Sequence, residues 1–212
     1  MPSPINRVFF SEYVFDILEE VYEPAEDSFL FADNLVTNED DAVIDMGTGC
    51  GILGIVAAGK GAKVLAVDIN PWAVQCAKEN ASLNHVSGKM LCVQGDMFSP
   101  IRKDARFDLI MFNAPYLPSE HDEECSWLER AWSGGQSGRQ TIDRFINDTP
   151  KHLKPNGKLF LLQSSFSDIS ETFHRLTGKN LKGTIVAEKT LPFFESVILI
   201  EAEFMSTSAN ES

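Results

Sequence analysis

Asn113-Ala114-Pro115-Tyr116 closes the apolar run Asp108–Phe112 with an amide, a stiff proline and an aromatic ring in succession. A buried strand has no need of such an ending, but a planar –NH2 that must act as a nucleophile does. The lone pair of such a group is delocalised into its carbonyl or ring. It becomes reactive when both N–H bonds are held and the nitrogen is driven toward a pyramidal geometry. The Asn113 side-chain oxygen supplies one acceptor and the Ala114 backbone carbonyl the other. Pro115 stiffens the turn, and Tyr116 offers a face for stacking. Rate then comes from orientation and transition-state binding, with no strong base. Taken alone, the four residues fit equally well a strand ended by proline, with Asn113 as a satisfied cap.

The segments around this turn alternate between strand-like and helix-like. Short buried strands are expected at 41–47, 63–69, 89–96, 107–113 and 158–164. Helices are expected at 51–62, 70–84, 140–154 (stopping before Pro155-Asn156-Gly157) and 167–180 (ending near Gly178), with Asn70 as N-cap and Pro71 at the first helical position of the second. Two further strands, 184–190 and 194–204, are separated only by Leu191-Pro192-Phe193 and must form an antiparallel hairpin. Alternation of this kind means a largely parallel sheet covered on both faces. The expected fold is therefore a Rossmann-like, doubly wound α/β sheet of seven strands with an antiparallel terminal hairpin. Residues 1–204 form one domain, of which 1–40 are an N-terminal cap segment, and the polar residues 205–212 form a disordered tail.

Directly after the first strand stand Asp45, Gly47, Gly49 and Gly51. A glycine-rich turn there lets the backbone approach a ligand and aims helix N–H groups at it. Asp68, followed by Ile69, ends the second strand, where a carboxylate can accept both hydroxyls of a ribose. Asp96 ends the third strand, within reach of an adenine amino group. Asn113 lies beside the same crevice. A dinucleotide and S-adenosylmethionine both fit a nucleoside site. However, the pattern is Asp-x-Gly-x-Gly-x-Gly rather than Gly-x-Gly-x-x-Gly. The acid at Asp45 would repel a pyrophosphate and suits the cationic amino-acid end of S-adenosylmethionine. With a methyl donor in place, the catalytic reading of Asn113 outweighs the capping one.

"VYEPAEDSFLF", "DMGTGCG", "VDINPWAV", "NAPYLP" and "AWSGGQSGRQTIDRF" together resemble the HemK family of protein-(glutamine-N5) methyltransferases, in its short archaeal and eukaryotic branch. The resemblance spans nearly the whole chain. It implies a class I methyltransferase fold and S-adenosylmethionine as cofactor. It also implies a substrate, the side-chain amide of a glutamine in a translation release factor, and the possibility of a small zinc-binding activator subunit. An exposed apolar strip near Val64, Leu65 and Val93 on the sheet edge is the candidate seat for that subunit. The resemblance places Ser28, with Glu23, Pro24 and Glu26, over the cofactor, although "EPAED" reads unaided as a helix start. It packs Met97 on the adenine. The usual motif is Asn-Pro-Pro-Tyr. Ala114 replaces its first proline, keeping the carbonyl and losing rigidity. Trp132, Gly138, Arg139 and Asp143 fit the family pattern. Arg139 and Asp143 also read as an i,i+4 helix pair. Gly134-Gly135-Gln136 spells the release-factor tripeptide by coincidence.

The 212 residues suffice for one well-cored domain. A net charge of −13, from 31 acidic and 18 basic side chains, opposes binding to a bare phosphate backbone. This weakens the rival reading as an adenine-N6 methyltransferase of DNA or RNA, which would use the same motif. A second rival is a cofactor-binding scaffold with Ala114 as the trace of lost catalysis. Cys50, Cys76, Cys92 and Cys125 lack a C-x-x-C pair and the four histidines lack ligand spacing, so no metal site is expected. No apolar run reaches the ~20 residues of a membrane helix, and no signal peptide is visible. The expected location is cytoplasmic.

Overall fold

A computed structural model describes residues 4–118, 126–191 and 195–205. The tail expected over 205–212 lies outside them from Ser206 onward, as does Cys125. Among the described residues no helix is long and apolar enough to cross a membrane.

In chain order the elements begin with a hairpin, β1 (Asn6–Phe10) and β2 (Tyr13–Ile17), followed by α1 (Glu26–Asp33), β3 (Ala42–Met46), α2 (Ile52–Gly59) and β4 (Lys63–Asp68). Next come α3 (Pro71–Leu83), β5 (Met90–Gln94), β6 (Phe107–Asn113), α4 (Trp127–Arg130) and α5 (Gln140–Asp148). The chain ends with β7 (Leu153–Ser164), α6 (Ile169–Gly178), β8 (Leu181–Thr190) and β9 (Ser196–Phe204). The seven-stranded sheet has the order β5-β4-β3-β6-β7-β9-β8. The pairs from β5 to β7 are parallel, and β9 runs antiparallel to both β7 and β8. The mostly parallel sheet and terminal hairpin expected from the alternation are thus present.

Burial on both faces explains the near-continuous apolar runs of β3 and β6. One face packs Val43, Val64, Leu109 and Met111 against α1, α2 and α3. The other packs Ile44, Val67, Ile110 and Phe112 against Ile142, Phe145 and Leu176 of α5 and α6. Asn70 caps α3 by accepting from the Trp72 N–H at 2.9 Å.

Two expectations need correction. The helix predicted over 140–154 ends at Asp148, and Pro155-Asn156-Gly157 lies inside β7. Pro150 has no N–H to continue the helix, and Thr149 Oγ1 donates back to the Phe145 carbonyl at 2.7 Å. The extra residues of β7 are absorbed where its register against β6 shifts between Phe107 and Leu109. The N-terminal cap also contains the β1–β2 hairpin, which no turn signal announces. Its bend uses Ser11 at φ 51, a left-handed conformation more usually given to glycine.

That hairpin is fastened to α3 by two side-chain amides. Asn84 accepts from the Val14 N–H at 2.9 Å and donates to its carbonyl at 2.7 Å. Asn80 does the same to Asp16, at 2.8 and 3.0 Å. Asn80 also donates to the Cys50 carbonyl at 2.9 Å, tying the hairpin to the glycine turn.

Candidate active site

The carboxyl ends of β3, β4 and β6 open onto one cavity of ≈ 400 Å³. The residues singled out above for cofactor or catalysis line it, from Ser28 and Asp45 round to Tyr116, except Gly51 and two acids of the cap segment. Glu23 and Glu26 are not in its wall. Glu23 accepts from Asn6 Nδ2 at 2.8 Å, and Glu26 is paired with Lys189 at 3.2 Å.

Gly49 at φ 55 turns its N–H onto Asp68 Oδ2 at 2.9 Å, and a Cβ there would meet nothing within 4 Å. The turn therefore leaves open space on its ligand side. Asp68 Oδ1 takes the Asn70 N–H at 2.9 Å. Burial raises the Asp68 carboxyl, while these N–H groups and that of Ile69 pull it down. Asp45 is 1% exposed. Its Oδ2 accepts from Thr48 Oγ1 at 2.6 Å and the Gly54 N–H at 2.9 Å. Burial pushes its pKa up to about 7, with the charge of Asp68 adding to the rise and the two hydrogen bonds opposing it. Asp96 lines the cavity but lies 2.7 Å from Arg144 Nη2 of α5, so this carboxylate is already paired. Met97 sits beside it at φ 52, and Ile69 is half-exposed on the cavity wall.

Raised carboxyls in an acidic cavity give a testable pH signature. Folding raises Asp45 from 3.8 to about 7. The stability linked to its proton is therefore full below about pH 4 and is lost as pH rises toward 7. In the unliganded protein, Asp45→Asn should gain melting temperature relative to wild type as pH goes from 5 to 8. A difference that stays constant across that range would show that burial of Asp45 carries no penalty.

At the end of β6, Asn113 Nδ2 donates to Asp27 Oδ2 at 3.0 Å and to Ser28 Oγ at 3.3 Å. Its Oδ1 is buried and has no hydrogen-bond partner. Asp27 also accepts from the Ser28 N–H at 2.6 Å and from Tyr22 Oη at 3.2 Å. Burial, and then the Asp27 charge, drive the Tyr22 and Tyr116 phenols far up, so both stay neutral donors. Sequence reasoning missed Asp27 and Tyr22. Their neighbour Ser28 was found only by resemblance, and nothing local marks a carboxylate that serves a strand end 86 positions away.

The turn after Asn113 is braced from behind. Ser167 Oγ donates to the Tyr116 carbonyl at 2.8 Å, and Gly134 N–H donates to the Leu117 carbonyl at 2.8 Å. Gly138, at φ 69, leaves no room for a side chain, since a Cβ would lie 2.5 Å from the Tyr116 oxygen. Buried Arg139 pairs with Asp143 at 2.8 Å as the spacing suggested. It also donates to the carbonyls of Ser167 and Asp168 and to Thr172 Oγ1, which the sequence did not reveal. Gly134-Gly135-Gln136 thus belongs to a structural loop.

Ala114 extends the β6–β7 ladder by donating to the Leu162 carbonyl at 3.3 Å. Ala114→Pro removes this long bond and keeps the carbonyl. The cost should be about 1 kcal/mol, or a melting point lower by roughly 2–4 °C, with turnover within severalfold of wild type. A folded variant with turnover reduced a hundredfold would show that this turn cannot take the usual proline.

An acidic cavity of this size favours a cationic ligand, and Asn113, whose amide oxygen is buried without a partner, lines the same cavity. Such a site at the strand ends of a Rossmann-like sheet with a reversed last hairpin defines a class I, S-adenosylmethionine-dependent methyltransferase. The model of the ribosomal protein L11 methyltransferase (PrmA) family matches residues 27–114. A Methanocaldococcus jannaschii protein designated a protein N5-glutamine methyltransferase is 43% identical over 182 residues, covering 85% of this chain and 90% of that one. Mouse methyltransferase HEMK2 is 32% identical over 176 residues, covering 78% of this chain and 81% of its own. The solved E. cuniculi Mtq2–Trm112 complex, responsible for methylation of the termination factor eRF1, superimposes with a TM-score of 0.67 at 26% identity, covering 88% of this chain and 99% of that chain. The chain belongs to the HemK family of protein N5-glutamine methyltransferases, in its short branch.

Proposed function

We propose that this enzyme methylates the side-chain amide nitrogen of a glutamine in a translation release factor. The observation that carries the reading is the buried, unpartnered Oδ1 of Asn113, a residue of the cavity wall. A buried acceptor left unmade costs about 1–3 kcal/mol, and a substrate N–H recovers it. The substrate's identity is supported by relatives. Release factor glutamine methyltransferases of Rhodopirellula baltica and Aquifex aeolicus are each 32% identical over part of the chain, and Mtq2–Trm112 is responsible for methylating eRF1.

Bound S-adenosylmethionine supplies a methyl group activated by its sulfonium. The chain supplies placement. Asp68 and Ile69 hold the ribose, Asp96 and Met97 the adenine, and Asp45, Gly47, Gly49 and Ser28 the amino-acid end. Asn113 Oδ1 and the Ala114 carbonyl grip the two N–H bonds of the substrate amide. Pro115 fixes the turn, and Tyr116 stacks on the flat group. The cap segment 1–40 completes this single domain by carrying Ser28 to the rim.

A small zinc-binding activator subunit fits the free edge of β5. There Leu91 is 63% exposed, with Leu65 and Val93 partly buried on the same face. Val64, counted in that strip from the sequence, is buried on the opposite face. The test is incubation of the enzyme, with and without such a subunit, with purified release factor and labelled cofactor. N5-methylglutamine at one site is the expected result. No label on glutamine from the correctly assembled enzyme overturns the reading.

A further inference from the structure

We propose that Asp27 is the positioning residue that decides which end of the Asn113 amide meets the substrate. The inference rests on the amide-gripping role given to Asn113 above. An asparagine side chain is nearly symmetric in shape, and turning it over exchanges an acceptor oxygen for a donor –NH2. Turned the wrong way, Asn113 would present donors to the substrate's own N–H groups, and the methyl acceptor would lose one of its two grips. Local geometry at a strand end does not select between the two orientations.

Asp27 selects. A carboxylate only accepts. Asp27 is 5% exposed, with Oδ2 3.0 Å from Asn113 Nδ2. The reversed amide would set its oxygen against that carboxylate. Ser28 Oγ donates to Asp27 Oδ1 at 3.2 Å and receives the second Asn113 N–H at 3.3 Å, so both amide protons are taken and only Oδ1 is left. A donor bound to a charged acceptor also leaves its amide oxygen more negative, which strengthens the grip on the substrate. Tyr22 and the Ser28 N–H in turn hold the carboxylate in place.

A charge-swap cycle tests this. Asp27→Asn can accept or donate, so it no longer forbids the wrong orientation. Its turnover should fall about tenfold, with the KM for release factor and the cofactor Kd within about threefold of wild type. Asn113→Asp sets two carboxylates in contact and should lose about a hundredfold. In the double variant, D27N with N113D, the amide and the carboxylate trade places. The new amide on α1 donates to the new carboxylate at the end of β6, whose other oxygen still accepts from the substrate. Turnover should return to within about tenfold of wild type, a strongly non-additive result. Additive losses, with melting temperatures and cofactor binding intact, overturn the proposal.

A second readout needs no substrate. By nuclear magnetic resonance, the Asn113 side-chain protons should exchange with solvent at least about tenfold faster in Asp27→Asn than in wild type. Unchanged exchange overturns the proposal by itself. If wild type leaves the release factor unmethylated, the substrate reading fails, and the exchange measurement still decides the role of Asp27.

Discussion

Asn113→Ala should lower the turnover number by about two to three powers of ten, the scale of deleting one preorganised polar contact. The effect belongs to turnover because Oδ1 has no work in the unliganded protein, being buried without a partner. Its contribution appears only when the substrate amide pyramidalises against it. Cofactor affinity should change far less, since the candidate ribose and adenine contacts lie on β4 and after β5. The fold will register the change as well. Nδ2 is one of the donors holding the Asp27 carboxylate, so a melting point lower by a few degrees is expected, in line with about 1–2 kcal/mol for a bond to a charged group. Turnover and melting should be measured on the same purified variant. Near-normal turnover with a large melting loss would make Asn113 a structural cap and remove it from catalysis.

Asp68→Ala should weaken S-adenosylmethionine by roughly ten- to a hundredfold, since hydrogen bonds to a charged group are worth ~1.5–3 kcal/mol. The structure gives this residue two tasks. It stands at the end of β4 to receive a ribose, and it already holds the N–H of Gly49 and that of Asn70, each at 2.9 Å. The alanine variant therefore loses the ligand contact and also loosens the turn it anchors. Asp68→Asn weakens both tasks only in part, because it keeps one acceptor oxygen, loses the charge and sets its –NH2 against one of the two backbone N–H groups. It should fall between wild type and alanine in a calorimetric titration. Unchanged affinity in the alanine variant would take Asp68 out of the site.

Much of the sheet and the cofactor edge was readable because the causes are local. The Asn70–Pro71 helix start, the glycine turn and the apolar strands each follow from side chains within a few positions. The failures have equally physical reasons. Ser11 bends the first hairpin without glycine, so no turn signal exists. Pro150 stops α5 ahead of the more conspicuous Pro155. Asp27 and Arg139 looked like helix-start and helix-pair residues, which they are. Their decisive bonds, however, reach 86 residues forward to Asn113, and 28 or more to the loop after β7 and to Thr172 of α6. Single-sequence periodicity carries no information about contacts made at that separation.

The two asparagine clips between α3 and the first hairpin have a consequence for the order in which the enzyme assembles. Four helix residues rise ~6 Å, and two strand residues span ~6.7 Å. Asn80 and Asn84 can therefore engage Asp16 and Val14 only in one alignment. Slipping β2 by a single residue would break both pairs of bonds. A two-stranded ribbon is marginal in isolation, so this one takes its shape from a helix formed later in the chain. The hairpin leads directly into Tyr22, Asp27 and Ser28. The N-terminal segment therefore cannot set the substrate-facing rim alone: Asp27 has its place only once α3 holds the hairpin and β6 has brought Asn113.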